Sequence, residues 1–147
     1  MLTDPAGPNV ATAPEPSVVL VADDSVEIQE TLRAWLGEAG YRVICVGSGM
    51  EAVRWIRQRS FDAVITEVIL PNGDGLELIS ALKRFQPTVP VIAYSGGGRY
   101  LSISDCLRVA RGFGAFATLA KPARQDEMVQ LVGQAIATPA GRPQLVR

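Results

Sequence analysis

The chain has 147 residues, of which 48% are hydrophobic, and its formal net charge at pH 7 is −1. This length suits one domain, and the hydrophobic content is enough for a packed core, which excludes a chain that is disordered throughout. Because the charged residues form no basic run, we expect neither nucleic acid nor a membrane surface as a partner.

The kinds of residue present exclude several classes of catalytic and metal-binding site. The chain contains no histidine, which excludes Ser–His–Asp and Cys–His catalysis, histidine metal sites and a phosphohistidine on this chain. Cys45 and Cys106 lie in apolar stretches without a CxxC motif, so we predict buried free thiols and a reducing, cytoplasmic location. No apolar stretch reaches the roughly 20 residues of a membrane-spanning helix.

Short apolar runs alternate along the chain with helical patterns. Residues 1–16 contain four prolines and predict a disordered leader, and residues 138–147 predict a flexible tail. Between them, runs typical of strands buried on both faces occur at Val18–Ala22, Tyr41–Val46, Ala63–Thr66, Val89–Ser95 and Ala115–Leu119.

Apolar residues at helical spacing follow each predicted strand. The first pattern stops at Gly40, as at a helix C-terminus, and the third stops before Pro87. The patterns contain Ile28, Leu32, Leu36 and Ala39; Met50, Val53 and Ile56; Leu76, Ile79 and Leu82; Ile103, Leu107 and Ala110; and Met128, Leu131, Val132, Ala135 and Ile136. This alternation predicts a doubly wound (βα)5 α/β domain over residues 17–137, with a five-stranded parallel sheet.

Polar residues stand at the carboxyl ends of the predicted strands, where open parallel sheets bind ligands. Asp23 and Asp24 follow the first strand, Glu67 follows the third, Ser95 ends the fourth and Lys121 follows the fifth. Close carboxylates repel unless a cation joins them, and a hard cation such as Mg²⁺ suits an oxygen-rich site. An ammonium and a hydroxyl beside them suit an oxyanion, so the residues predict a pocket for phosphoryl chemistry.

Four motifs carry these residues: VLVADDS, ILPNGDG, VIAYSG and AKP. In this order on a (βα)5 pattern, the chain resembles the receiver domain of bacterial two-component response regulators. The resemblance implies a flavodoxin-like sheet of order 2-1-3-4-5 and a role in cytoplasmic phosphorelay signalling, not an enzyme. By position it assigns Asp23 and Asp24 to the Mg²⁺-binding pair, Ser95 to the hydroxyl that contacts the phosphoryl group, Lys121 to the invariant lysine, and a cis bond before Pro122.

The resemblance fails at the phosphoacceptor, where Glu67 stands in place of the family's aspartate. In-line transfer tolerates little displacement, so we expect no normal aspartyl phosphorylation. The nearest aspartates, Asp62 and Asp74, are not expected to reach the pocket. Three interpretations of Glu67 stay open: a partial mimic of the phosphorylated state, a neutral remnant, or an ion pair with Lys121. Glu67 is also the third ligand of the implied Mg²⁺ site, and the residues leave open whether the metal is bound.

A second departure concerns the switch residues. Thr118 stands three residues before Lys121, at a position where the family usually has Tyr or Phe. The two positions of the family's hydroxyl–aromatic switch are therefore occupied here by Ser95 and Thr118. Strand alternation predicts that Phe116 points to the same side of the sheet as Thr118, but further from the pocket. The usual hydroxyl–aromatic switch is therefore expected to be missing or rewired.

The sequence predicts a stand-alone atypical receiver, because no output domain is recognisable after the fifth helix. We expect it to act by contact with a histidine kinase, another regulator, an effector or a second copy, and the resemblance implies the face of the fourth helix, fifth strand and fifth helix. Two alternatives are a receiver that accepts phosphate on Glu67 or a hydroxyl, and a flavodoxin-like module that binds a small molecule. For Asp23 and Asp24, the alternative to a metal-binding role is capping of the first helix.

Overall fold

The computed structural model describes residues 14–139, so most of the predicted leader and tail lie outside the described residues and those predictions remain untested. The strands are β1 (Val18–Ala22), β2 (Arg42–Val46), β3 (Ala63–Thr66), β4 (Val91–Ser95) and β5 (Ala117–Ala120). The helices are α1 (Val26–Glu38), α2 (Gly49–Ile56), α3 (Gly75–Phe85), α4 (Ile103–Gly112) and α5 (Gln125–Ala137).

The five strands form one parallel sheet of order β2-β1-β3-β4-β5, which confirms the predicted fold. Ala22 of β1 pairs with both Val46 of β2 and Thr66 of β3, and Ser95 of β4 pairs with Ala120 of β5. The strands therefore end level with one another. This register places the residues that follow β1, β3 and β5 along one edge of the sheet.

Each face of the sheet is covered by its own hydrophobic cluster. Buried residues of α2, α3 and α4 pack on one face, and those of α1 and α5 pack on the other. Hydroxyl and carboxyl side chains cap the first four helices. For example, Ser25 accepts a hydrogen bond from the Ile28 amide of α1, and Asp74 forms a capping box with Glu77 of α3. Within residues 14–139, no helix is long and apolar enough to cross a membrane.

Four details differ from the sequence predictions. Phe116 packs with the α1 and α5 cluster, whereas Thr118 faces α4, because β5 begins only at Ala117 and strand alternation does not extend back to Phe116. Met50 is 59% exposed, and Ala52 faces the core in its place. Cys45 is only half-buried, because β2 is an edge strand, while Cys106 is buried. The beginnings of β2, β4 and β5 lie one or two residues later than predicted.

Candidate functional site

The two aspartates after β1 face different surroundings. Asp23 is buried: its Oδ1 accepts a hydrogen bond from the Ser25 amide at 2.9 Å, and its Oδ2 lies 2.7 Å from the Lys121 ammonium. Asp24 is exposed. The turn that brings the Ser25 amide to Asp23 directs the next side chain to solvent, so only Asp23 belongs to the pocket.

Glu67 follows β3, and both of its carboxylate oxygens bind groups of this chain. Oε1 lies 2.9 Å from the Lys121 ammonium and accepts a longer hydrogen bond, at 3.4 Å, from the Gly96 amide. Oε2 accepts a hydrogen bond of 2.7 Å from the adjacent Val68 amide. The side chain is buried, so these protein donors take the place of water around the carboxylate.

Lys121 connects the two carboxylates across the pocket. Its backbone amide donates to the Ser95 carbonyl at 2.9 Å, which continues the pairing of β5 with β4, and the bond to Pro122 is cis, as expected. Burial lowers the pKa of the ammonium, but the hydrogen bonds and charges of Asp23 and Glu67 outweigh that effect and hold the pKa above its ordinary value of 10.5. The ammonium is thus a fixed positive charge between two buried carboxylates.

This raised pKa predicts how stability depends on pH. A base with a higher pKa in the folded than in the unfolded state contributes its full stabilisation below the unfolded value and loses it as pH rises through the folded value. We therefore expect the free energy of unfolding of the natural chain to fall above about pH 10.5 relative to a Lys121→Met variant. Urea denaturation of both proteins between neutral and strongly alkaline pH measures this. A constant difference between them would contradict the prediction.

Ser95 is fully buried at the end of β4, and the main-chain hydrogen-bond partner of its hydroxyl lies in the loop after that strand. Its hydroxyl accepts a hydrogen bond from the Gly97 amide at 3.0 Å, and within residues 14–139 it makes no hydrogen bond with the Glu67 carboxylate. The predicted pocket residue is therefore adjacent to the carboxylate but bonded to the loop that follows β4.

Thr118 of β5, the other predicted switch residue, has a partner that the sequence analysis missed. Its buried hydroxyl accepts a hydrogen bond of 2.8 Å from the Arg111 guanidinium, which connects the last turn of α4 to the sheet. The sequence gives little sign of this contact, because a basic residue in the last turn of a helix is equally explained by the helix dipole.

The Arg111–Thr118 contact predicts a moderate loss of stability when it is removed. Replacing Arg111 by methionine leaves the buried Thr118 hydroxyl without its donor, which is expected to cost about 1–2 kcal/mol of unfolding free energy. The matched control is Arg108→Met, which removes an exposed pair with Asp105 and is expected to cost at most about 0.5 kcal/mol. Equal losses of unfolding free energy in urea denaturation of the two variants would show that the contact with β5 stabilises the chain no more than the exposed ion pair does.

The structure does not assemble the three-carboxylate Mg²⁺ site predicted from Asp23, Asp24 and Glu67. Asp24 faces solvent, and the charge of the other two carboxylates is met by the Lys121 ammonium. In the described part of the chain, no group of three or more Asp, Glu, Cys or His side chains is arranged to hold a metal ion. The third carboxylate is therefore missing from this arrangement, and Mg²⁺ binding by Asp23 and Glu67 stays a prediction.

The two other aspartates lie away from the pocket, as predicted. Asp62 precedes β3 and accepts a hydrogen bond of 2.8 Å from the Val18 amide at the opposite edge of the sheet. Asp74 accepts one of 2.9 Å from the Glu77 amide as the cap of α3. Neither can replace Glu67 as an acceptor in this arrangement.

The sheet order and this polar edge define a signalling domain of the receiver class. The family described as "Response regulator receiver domain" matches residues 19–133, and the chain belongs to this family.

Similarity to individual proteins agrees with membership of the receiver family. The DNA-binding transcriptional regulator NtrC of Bradyrhizobium sp. (strain RP501 Parasponia) is 34% identical over 124 residues, which are 84% of this chain and 25% of that protein. The beryllofluoride-activated NtrC4 receiver domain dimer is 30% identical with a TM-score of 0.72, covering 81% of this chain and 95% of that one. The receiver domain of sensor histidine kinase PA1611 from Pseudomonas aeruginosa PAO1, solved with magnesium coordinated in its active site cleft, is 26% identical with a TM-score of 0.74, covering 84% and 99%. The chain thus spans about a quarter of the length of the curated relatives that it matches.

Proposed function

We propose that this receiver domain signals by protein contact without phosphorylation of residue 67, and that it is not an enzyme. The observation that carries the proposal is that each oxygen of the Glu67 carboxylate is bonded to a donor of this chain. One oxygen binds the Lys121 ammonium and the other binds the Val68 amide. An oxygen that attacks a phosphoryl donor has to be free and in line with it, and small errors in position cost large factors in rate.

Of the three interpretations of Glu67, the geometry supports the ion pair with Lys121. A glutamate carries one charge, whereas a phosphoryl group carries roughly −1.5 to −2 and three acceptor oxygens. A mimic of the phosphorylated state would also be expected to engage the Ser95 hydroxyl, which here accepts from the Gly97 amide. We infer that the ion pair keeps the pocket in one state, with the ammonium supplying the positive charge that the carboxylates need.

Exposure to a phosphoryl donor tests the proposal. Incubation of the natural chain with acetyl phosphate and Mg²⁺ is expected to leave its intact mass unchanged, because both oxygens of Glu67 are bonded within the chain and its side chain is one methylene longer than aspartate. A Glu67→Asp variant keeps Asp23, Ser95 and Lys121, and is expected to gain the mass of one phosphoryl group. A receiver of known activity serves as the positive control. A stable acyl phosphate on the natural chain would refute the proposal and support the alternative acceptor role.

The partner is proposed to be a histidine kinase, another regulator, an effector or a second copy, in the cytoplasm. The α4–β5–α5 face is the proposed contact surface. Its support is the Arg111–Thr118 hydrogen bond, which couples α4 to β5, together with the half-exposed Phe113 at the end of α4. Among similar proteins, the NtrC4 receiver is described as a dimer.

A further inference from the structure

The C-terminal ends of α2 and α3 form a surface rich in unpaired cations. Three exposed residues, here called the α2–α3 basic surface, are Arg54, Arg57 and Arg84. Within residues 14–139, none of them makes an ion pair with a carboxylate. Basic residues stabilise helix C-termini by interaction with the dipole, which explains why some of them are there. It does not explain why Arg57 and Arg84, from two different helices, meet at one ring on a chain whose net charge is −1.

An aromatic ring organises the centre of this surface. Phe85, at the end of α3, is 42% exposed. The guanidinium of Arg57 lies 5.1 Å from its ring centre, and that of Arg84 lies 5.5 Å away. Each contact is favourable, and together they hold two guanidinium groups against one ring, with no ion pair to a carboxylate at either of them within the described residues. Such an arrangement is ready to receive a carboxylate, because the guanidinium groups are already positioned.

A groove of about 490 Å³ between α2 and α3 continues from the same arginines. Met50, which is largely exposed, and Val53 give it an apolar lining, and Arg54 and Arg57 stand beside them. Glu77 of α3 also lines the groove. Arg57 therefore belongs to both features, so that the groove and the basic surface form one continuous region.

We propose that this region binds an acidic segment of a partner protein, with an apolar side chain in the groove and carboxylates on Arg54, Arg57 and Arg84. Nucleic acid is a poorer match, because the groove lining of Met50 and Val53 suits an apolar side chain and offers no hydrogen bond to a base or a phosphate. The region lies on α2 and α3, apart from the α4–β5–α5 face. The inference is independent of whether Glu67 accepts phosphate.

A synthetic amphipathic helix of glutamate, alanine and leucine is the probe for this surface. Titrated into the ¹⁵N-labelled chain, it is expected to shift the amide resonances of α2 and of the end of α3 and to leave those of α5 unchanged. Raising the salt from about 0.1 M to about 1 M shortens the Debye length from about 10 Å to about 3 Å and is expected to weaken binding strongly. The same peptide with glutamine in place of glutamate is expected to bind at least about tenfold more weakly.

Two triple variants of equal charge separate this site from general attraction. The test variant is Arg54→Glu, Arg57→Glu and Arg84→Glu, which is expected to weaken peptide binding at least about tenfold. The control variant reverses three exposed arginines elsewhere, Arg33→Glu, Arg42→Glu and Arg99→Glu, and is expected to change binding less than about twofold.

Several results would overturn the proposal. They are equal weakening in both triple variants, equal binding of the glutamine peptide, or no shift of the α2 and α3 resonances. Tighter binding of a DNA duplex at the same amides would assign the surface to nucleic acid instead. Self-association in sedimentation that the test variant alone abolishes would assign it to a second copy of this chain.

Discussion

Replacing Lys121 by methionine is expected to lower the free energy of unfolding by about 3 kcal/mol, because it leaves two buried carboxylates without their counter-charge. The side chains of Asp23 and Glu67 are 3% and 8% exposed, and that of Lys121 is 17% exposed, so water replaces little of the lost interaction. In a domain of this size the change corresponds to a fall in Tm of about 10 °C. Urea denaturation at neutral pH and a thermal scan measure the two quantities.

A double variant separates the lost charge from lost packing. In Lys121→Met with Glu67→Gln, only Asp23 keeps a buried charge, so the combined loss is expected to be smaller than the sum of the two single losses by about 1–2 kcal/mol. Strict additivity would show that the ammonium and the glutamate are not coupled. A cost of under about 1 kcal/mol for Lys121→Met alone would place the contact with ordinary surface ion pairs and contradict the prediction.

The convergence of Asp23, Glu67 and Lys121 could be predicted from the sequence for a simple physical reason. Parallel strands of similar length end at one edge, so residues that follow the first, third and fifth strands have to meet there. The observed register confirms this, with Ala22 paired to Thr66 and the Lys121 amide bonded to the Ser95 carbonyl. The resemblance implied the strand order, and the polar residues directly after the strands supplied the rest, without any knowledge of side-chain geometry.

The orientation of individual side chains could not be predicted in the same way. Asp23 and Asp24 are identical in type and adjacent, but only Asp23 is bonded to the Ser25 amide and the Lys121 ammonium within the described residues. The contact from Arg111 to Thr118 depends on how closely α4 lies to β5, which no residue spacing encodes. These features arise from tertiary packing, and they decide whether the acidic residues form a metal site or an ion-paired one.

Adding one methyl group at Gly49 is expected to cost at least about 3 kcal/mol of unfolding free energy, through overpacking and lost backbone hydrogen bonds. A Cβ on Gly49 would overlap the Gly73 carbonyl group of the loop between β3 and α3. The loop lies this close because its Asn72 carbonyl accepts from the Met50 amide at 2.8 Å, so the backbone of the loop is attached to the start of α2.

The matched control is Gly37→Ala in α1, where an added Cβ meets nothing within 4 Å. Alanine there is expected to stabilise the chain by about 0.5–1 kcal/mol, because it reduces the freedom of the unfolded state and favours the helix. Since the loop held against Gly49 begins at Glu67, the Gly49→Ala variant is also expected to displace that carboxylate from Lys121. It should then lose the alkaline dependence of stability that the ion pair provides, whereas Gly37→Ala should keep it. A stable Gly49→Ala protein with the natural pH dependence would show that the loop moves without disturbing the pocket, and would contradict the prediction.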